Sequence, residues 1–431
     1  MTSGPTVGRP LRKVAFASFI GTAIEFYDFY IYGTAAALVF PHVFFPNLDP
    51  TMATISSLAT FAVAFLSRPI GAAVFGHFGD RLGRKKTLIA TLLIMGTSTV
   101  GVGLVPSAAS IGMAAPAILL ALRLAQGFAV GGEWAGSALL SAEYAPTEKR
   151  GAYGMFTQLG AGAGLAVSNL VFLLATVTIS ESSPAFLTWG WRIPFLFSAV
   201  LLIVALYVRL SIDETPVFAE EVRRGAVPRA PLSELLRNQG AQVLLGAGCM
   251  VGIFTMSFLG GTYLMNYANT HIGHPRPLVL SAGVLAGVML MACSALSAVL
   301  SDRFGRRRVI LVGFLAALPW AFLVMPLIDS GSPAAFLVAI AGIFCLFGLS
   351  YGPIGAFLPE TFATRYRYTG AGLAFNLAGI VGGALPPLVA GALVAAVGSW
   401  AVGLLIGGFV LVSIGCTLAL PETQGRALAA C

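Results

Sequence analysis

The chain has 431 residues, of which 57% are hydrophobic and 10% charged, with a formal net charge of +8 and a mean hydropathy of +0.88. Soluble domains carry roughly 25% charged residues, so a water-soluble fold is excluded. The Lys and Arg residues fall in short clusters between apolar runs instead of along one face, which argues against a nucleic-acid partner and reads as membrane topology.

The first apolar run follows Arg9, Arg12 and Lys13. It is too long for a signal-peptide core and lacks a nearby Ala-x-Ala site, so it is expected to remain as an uncleaved first span. A helix needs about 20 apolar residues to cross the hydrocarbon layer. Runs of that kind lie near 14–40, 54–78, 87–105, 114–140, 152–177, 192–210, 241–267, 278–300, 309–327, 334–358, 370–396 and 400–420, which predicts twelve transmembrane helices. Period-2 alternation is missing, which excludes a membrane β-barrel. With both termini and the even-numbered loops in the cytoplasm, that side receives 21 basic residues and the outside two, Arg192 and Arg276. The expected location is therefore the cell (inner or plasma) membrane, multi-pass, with both termini cytoplasmic.

The longest loop carries Asp213, Glu214, Glu220, Glu221, Arg223 and Arg224 among Pro216, Pro228 and Pro231. It divides the chain into an N-terminal six-helix bundle (1–210), a cytoplasmic linker with an amphipathic helix (211–240) and a C-terminal six-helix bundle (241–431). Gly-Asp-Arg-Leu-Gly-Arg-Lys-Lys at 79–86 is echoed by Ser-Asp-Arg-Phe-Gly-Arg-Arg-Arg at 301–308, and Glu143 by Glu360 at nearly the same offset. Such echoes imply duplicated halves around a midplane cavity.

Five charges sit inside the spans: Glu25, Asp28, Arg68, Arg123 and Glu133. A buried charge is costly in hydrocarbon, so each is a functional candidate. Glu25 and Asp28 share a helix face about halfway across, and Arg123 reaches a similar depth. One reading makes Asp28 or Glu25 the proton site, with Arg123 either holding it ionised or binding an anionic substrate; the other makes them a static ion pair joining two helices. Arg68 and Glu133 are expected to form a structural or gating pair. Tyr32, Gln158, Tyr263, Asn266, Tyr267 and Asn376, with Tyr27, Asn169 and Tyr351, are the polar candidates for substrate contact, and Tyr263, Asn266 and Tyr267 share one face of span 7. His271 and His274 fall in the external loop after span 7.

The segment Gly76, Asp80, Arg81, Gly83, Arg84 and Lys85 resembles the signature loop of the major facilitator superfamily, with Ala298 replacing the leading glycine in the second copy. Glu25-Phe26-Tyr27-Asp28-Phe29, Arg68-Pro69, Gly131-Gly132-Glu133-Trp134 and Arg367-Tyr368-Thr369-Gly370 look like its metabolite:proton symporter family, with Phe26 where Trp is usual. The resemblance implies an all-α fold of twelve helices in two pseudo-symmetric six-helix bundles. It also implies a cytoplasmic latch in which Asp80, Arg81 and Arg84 of one copy and Asp302 and Arg303 of the other join Glu143, Arg150, Glu360 and Arg367.

No enzymatic constellation and no Gly-x-x-x-x-Gly-Lys occurs, so neither catalysis nor ATP drive is expected, and no cofactor or metal is implied. Gly160-Ala161-Gly162-Ala163-Gly164 follows no strand and reads as a helix-packing surface. The five cysteines show neither disulfide nor zinc spacing. The expected function is proton-coupled import of a small molecule by a monomer, with Arg123 favouring a carboxylate. The alternatives are a proton-coupled antiporter or exporter, whose span-5 pattern is half met by Gly151, Gly160 and Gly164 but has Leu165 in place of Pro, and, in another class, a channel or receptor-like protein.

Overall fold

The computed structural model describes residues 8–179, 183, 185–212 and 231–425. All regular structure among them is helical. Twelve helices are long and apolar enough to cross a membrane. They are Lys13–Ala36, Met52–Leu82, Arg84–Leu104, Ala114–Tyr144, Thr147–Thr178 and Phe186–Leu210 in the first half, here spans 1 to 6. Leu232–Thr270, Arg276–Phe304, Arg306–Asp329, Pro333–Glu360, Thr364–Val397 and Trp400–Ala419 in the second are spans 7 to 12.

The charged linker segment 213–230 lies outside the described residues. The last ten residues of the expected linker, 231–240, are helical: span 7 begins with Pro231–Phe258, bent at Gln239, where φ is −133° and ψ 27°. The two signature loops are shorter than the sequence suggests. Span 2 continues helically through Asp80 and Arg81 to Leu82, and span 3 starts at Arg84, so the reversal rests on Gly83 alone at φ +107°. Gly305 at φ +98° does the same between spans 8 and 9. Only glycine takes that backbone without strain, which explains the glycine at one fixed place in both copies.

The halves meet along spans 5 and 8 and along spans 2 and 11, two seams related by exchanging halves. The glycine run of span 5 is what allows the first. A Cβ on Gly162 would lie 2.6 Å from the Gly287 carbonyl oxygen of span 8, while Gly160 and Gly164 are equally tight against the backbone of span 1. Three alternate glycines thus let one helix approach two neighbours at once. Spans 7 and 11 each contain a π-helical stretch, Leu259–Tyr263 in the half of span 7 remote from the signature loops and Gly379–Ala384 near the middle of span 11.

Candidate functional site

Two regions concentrate the polar chemistry: a buried cluster at mid-depth and a latch at the end bearing the signature loops, here called the basic end.

At mid-depth, Asp28 is fully buried. Its carboxylate accepts hydrogen bonds from Thr99 Oγ1 of span 3 (2.7 Å) and Ser198 Oγ of span 6 (2.8 Å). Arg123 does not touch it, contrary to the direct pair expected from the sequence. Gln126, one turn along span 4, intervenes: Arg123 Nη1 donates to Gln126 Oε1, and Gln126 Nε2 donates to Thr99 Oγ1 at 2.8 Å. The result is a continuous chain, Arg123–Gln126–Thr99–Asp28–Ser198. Arg123 itself lies 3.7 Å over the Tyr32 ring and donates to the Phe61 carbonyl.

Arg68 is likewise caged by rings, 4.8 Å from Phe29 and 4.7 Å from Phe65. Among the described residues neither Arg68 nor Arg123 forms an ion pair with a carboxylate. Arg68 is instead the strongest attractive charge acting on Glu25, whose Oε2 is buried without a hydrogen-bond partner. Stacking on aromatic faces compensates part of the desolvation of a guanidinium while leaving its N–H edges available to an anion.

The expected Arg68–Glu133 pair is not formed. Glu133 pairs with Arg209 of span 6, and Ser137 and Thr91 complete its shell. Arg209 counts as a loop residue in a charge tally, because it lies one residue from the end of its span. The span continues straight to Leu210, however, and Arg209 turns inward to a fully buried position.

At the basic end the halves are joined. Asp80 accepts from Thr369 N (3.2 Å) and Thr369 Oγ1 (2.8 Å) in the first turn of span 11. Its counterpart Asp302 accepts from Gly151 N (2.9 Å) and Ala152 N (2.8 Å) at the start of the main span 5 helix. Each repeat aspartate therefore sits at a helix N-terminus of the opposite half, where unpaired N–H groups and the helix dipole favour an anion. Glycine placement follows: a Cβ on Gly76 would meet Thr369 Cα at 2.8 Å, and one on Gly151 would meet the Ala298 carbonyl at 2.6 Å. In the second seam the small residue has moved to the partner helix, which is why Ala298 is tolerated.

Arg84 bridges Asp80 and Glu143 (3.7 and 3.3 Å). Arg306 binds Asp302 at 2.6 Å and faces Glu360 at 3.6 Å, and Arg150 reaches Glu360 from the other half at 3.8 Å. Arg367 is turned to the carbonyls of Pro359 and Phe362. Exposed Arg81 contacts half-buried His77, and Arg303 is exposed, so the second arginine of each motif, not the first, joins this cluster. The reversal at Gly83 and Gly305 is the reason: Arg84 and Arg306 open the next helix just beyond the turn and come back onto the aspartate before it, whereas Arg81 and Arg303 still belong to the preceding helix and are exposed. The Pro-Glu-Thr segment after span 12 closes the set. Glu422 accepts from Arg306 N and Arg307 N, and buried Thr423 donates to Glu360 at 2.7 Å.

The substrate candidates separate into two groups. Tyr263 and Asn266, with Asn169, line a cavity of about 130 Å³ at the end remote from the latch. Tyr32, Gln158 and Asn376 do not line it. Tyr32 bonds Thr60, Gln158 joins Trp134 to the Tyr351 carbonyl, and Asn376 donates across the halves to the Gly131 carbonyl. Tyr267 turns from the cavity to Asp329 at 2.9 Å. Its ring stacks on that of Tyr263, 6.2 Å between centroids, so the two tyrosines share the face that helical spacing predicts, and it is the Tyr267 hydroxyl that Asp329 takes up.

The family model for the Major Facilitator Superfamily matches residues 18–387. The chain is 45% identical to the "Inner membrane metabolite transport protein YhjE" of Escherichia coli, covering 97% of this chain and 96% of that one. It is 40% identical to the shikimate transporter of the same organism, over 96% and 95%. Identity to the proline/betaine transporter of Escherichia coli is 34%, over 88% and 77%. The solved proton:xylose symporter XylE, bound to 6-bromo-6-deoxy-D-glucose, superimposes with TM-score 0.77 at 20% identity, covering 98% of each chain, which shows the shared fold.

The chain belongs to the Major Facilitator Superfamily. Within it, the chain is a multi-pass metabolite transporter with twelve spans, not an enzyme.

Proposed function

We propose that the protein is a proton-coupled symporter that imports a small organic monoanion, working as a monomer with the basic end in the cytoplasm. Residues 1–210 and 241–431 rock as units about the midplane, joined by the linker at 211–240. The geometry corresponds to the outward-facing state, with the latch closed at the basic end and the cavity toward the other.

The observation that carries this reading is the chain from Asp28 through Thr99 and Gln126 to Arg123, in which an acid and a base are linked but not paired. With Glu25 and Asp28 ionised, their charges balance Arg68 and Arg123. Protonating one carboxylate leaves one positive charge, which a monoanion restores to neutrality. Coupling then follows from desolvation: neither the proton nor the anion is bound as favourably alone in a low-dielectric site as both together. The relative named for shikimate supports a carboxylate substrate. The relative named for proline and betaine supports a zwitterion as the second reading.

The test is uptake of radiolabelled shikimate, small carboxylates, amino acids and betaines into proteoliposomes under an inward proton gradient. Accumulation of one acid by the wild type, lost in Asp28→Asn while counterflow exchange persists, is the expected result. Gradient-driven accumulation that survives Asp28→Asn refutes the assignment of Asp28.

A further inference from the structure

A single guanidinium nitrogen of Arg209 makes all of its hydrogen bonds: Nη2 donates to Glu133 Oε1 and, at 3.0 Å, to Ser137 Oγ. Among the described residues Arg209 Nε and Nη1 are buried without a partner, and so is Glu25 Oε2. These idle donors and this idle acceptor are neighbours. Gly21 lies one turn before Glu25, on the stripe of span 1 that carries Asp28. A Cβ on Gly21 would collide with Arg209 Nη2 and stand 2.7 Å from Glu133 Oε1. Side chains on a helix lean toward its N-terminus, so Glu25 leans toward this notch. The charges acting on Glu25 are Arg68 of span 2, Glu133 of span 4, Arg209 of span 6 and Asp28, and Glu25 acts in turn on the Tyr351 hydroxyl of span 10. Asp28 differs, because hydrogen bonds from Thr99 and Ser198 occupy both of its oxygens.

The Glu133 carboxylate is level with Gly21, a turn nearer the basic end than Glu25, and there the opposite half covers it. Tyr368 of span 11 donates to the Gly132 carbonyl at 2.6 Å, and a Cβ on Gly136 would meet the Tyr368 hydroxyl oxygen at 2.5 Å. Glu133 is the strongest charge acting on Tyr368. The next residue, Thr369, is the one that Asp80 holds in the closed latch.

We propose that Glu133 is the station through which the coupled proton leaves Glu25 for the cytoplasm, with Arg209 as its positioning residue and Tyr368 as its lid. The proposal rests on the proton-coupled reading above and adds the exit route. The proton passes from the Glu25 carboxyl to the Glu133 carboxylate, directly or through one water, while Arg209 turns its idle N–H groups to the carboxylate left on Glu25. The three side chains carry the same total charge before and after, so no uncompensated charge is created in the low-dielectric interior. Opening of the latch carries span 11 away and lifts Tyr368 off Gly132. Glu133 then gives its proton to water on the cytoplasmic side, and Arg209 returns to it. While the latch is closed Tyr368 seals this route, which keeps the proton from leaving ahead of the conformational change.

The experiment compares net uptake under an inward proton gradient with counterflow exchange, for the full-length protein in proteoliposomes, with radiolabelled shikimate and the small carboxylates of the panel above as probes. The variants are Glu133→Gln/Arg209→Met, which removes the station without leaving a lone charge, and Gly21→Ala, which keeps all three charged groups and displaces the pair from span 1. The second serves should the first not fold. Exchange cycles the loaded carrier without releasing its proton. Net uptake is therefore expected to fall by about tenfold or more in both variants while counterflow stays near the wild-type rate. A pair that only holds the helices together would lower both rates in step, and that result overturns the station, as does net uptake intact in both variants. Tyr368→Phe keeps the ring and loses the bond to Gly132. With a pH-sensitive dye inside the vesicles it is expected to show proton entry without substrate, and vesicles as tight as those with wild type overturn the lid. Wild-type uptake that ignores the gradient overturns the coupling reading and the station with it, whereas gradient-driven uptake that survives both variants overturns the station alone.

Discussion

Replacing Asp302 by alanine should open the basic end. In the closed state Asp302 binds two backbone N–H groups of span 5 across the halves, at 2.9 and 2.8 Å. A partly buried carboxylate at a helix N-terminus contributes up to about 2 kcal/mol, because water takes over its hydrogen bonds once the halves part. Removing about 2 kcal/mol from one of two states changes their ratio about thirtyfold. Asp80 makes one long and one short bond to Thr369, so Asp80→Ala should cost about 1 kcal/mol, and the double variant roughly the sum, because the two seams share no partner. Asp302→Asn keeps one acceptor oxygen and should fall between wild type and alanine. The assay is pulsed dipolar spectroscopy between spin labels at Lys149 and Arg365, exposed residues on opposite halves of the basic end. Arg365 is exposed, pairs with Glu234 at the surface and lies 5.1 Å over the Tyr366 ring, so its replacement costs little. The wild type should show mainly a short distance and Asp302→Ala a second, longer component of comparable weight. Identical distance distributions in wild type and both alanine variants would refute the assignment of the aspartates to the latch.

Further outcomes follow from the same contacts. Glu133→Gln should destabilise the detergent-solubilised protein by about 3–5 kcal/mol, since it leaves the buried Arg209 guanidinium without its counter-charge; adding Arg209→Met should recover most of the loss in a thermal melt, and no recovery would show that the pair is not coupled. Glu422→Ala should cost about 1 kcal/mol through loss of the cap on the first turn of span 9, read as a lower melting temperature. If the substrate is a monoanion carried with one proton, a 100 mV inside-negative potential should leave accumulation unchanged. A zwitterion carried with one proton would gain about 2.3 kcal/mol, near fiftyfold.

Span number and the repeated aspartates were legible because membrane insertion imposes a one-dimensional rule on sequence: every segment of about 20 apolar residues must be accounted for. Partnership among buried charges was not legible. Depth can be counted along a helix, but which neighbour a side chain meets depends on rotation and tilt, and these are set by packing. Arg209 illustrates the limit: a charge one residue from a helix end looks like a loop residue, yet its long side chain turns inward to Glu133. Gln126 and Thr99 were missed for a different reason. Both are neutral and common in membrane helices, and only their position between Asp28 and Arg123 distinguishes them. Tyr267 kept its expected face beside Tyr263, and what the spacing could not report is that its hydroxyl is taken by Asp329 of span 9.

The strength of the latch must match the energy available to break it. If transport is proton-coupled as proposed, the two caps together, worth about 3 kcal/mol on the estimate above, are comparable with the driving force from about two pH units at about 1.4 kcal/mol each. A stronger latch would trap the outward state, and a weaker one would leave both ends open long enough to leak protons. Asp302 gives a reason for building it from carboxylates facing backbone N–H groups of the other half: each such bond has a close substitute in water, so opening costs the difference between two good hydrogen bonds and not the whole of one. Arg84 and Arg306 then act within their own halves, while Arg150 reaches across to Glu360. Arg84 joins Asp80 to Glu143, and Arg306 joins Asp302 to Glu360. Those ion pairs can persist in both states, which keeps each aspartate correctly aimed while the contacts it makes across the halves are broken and remade.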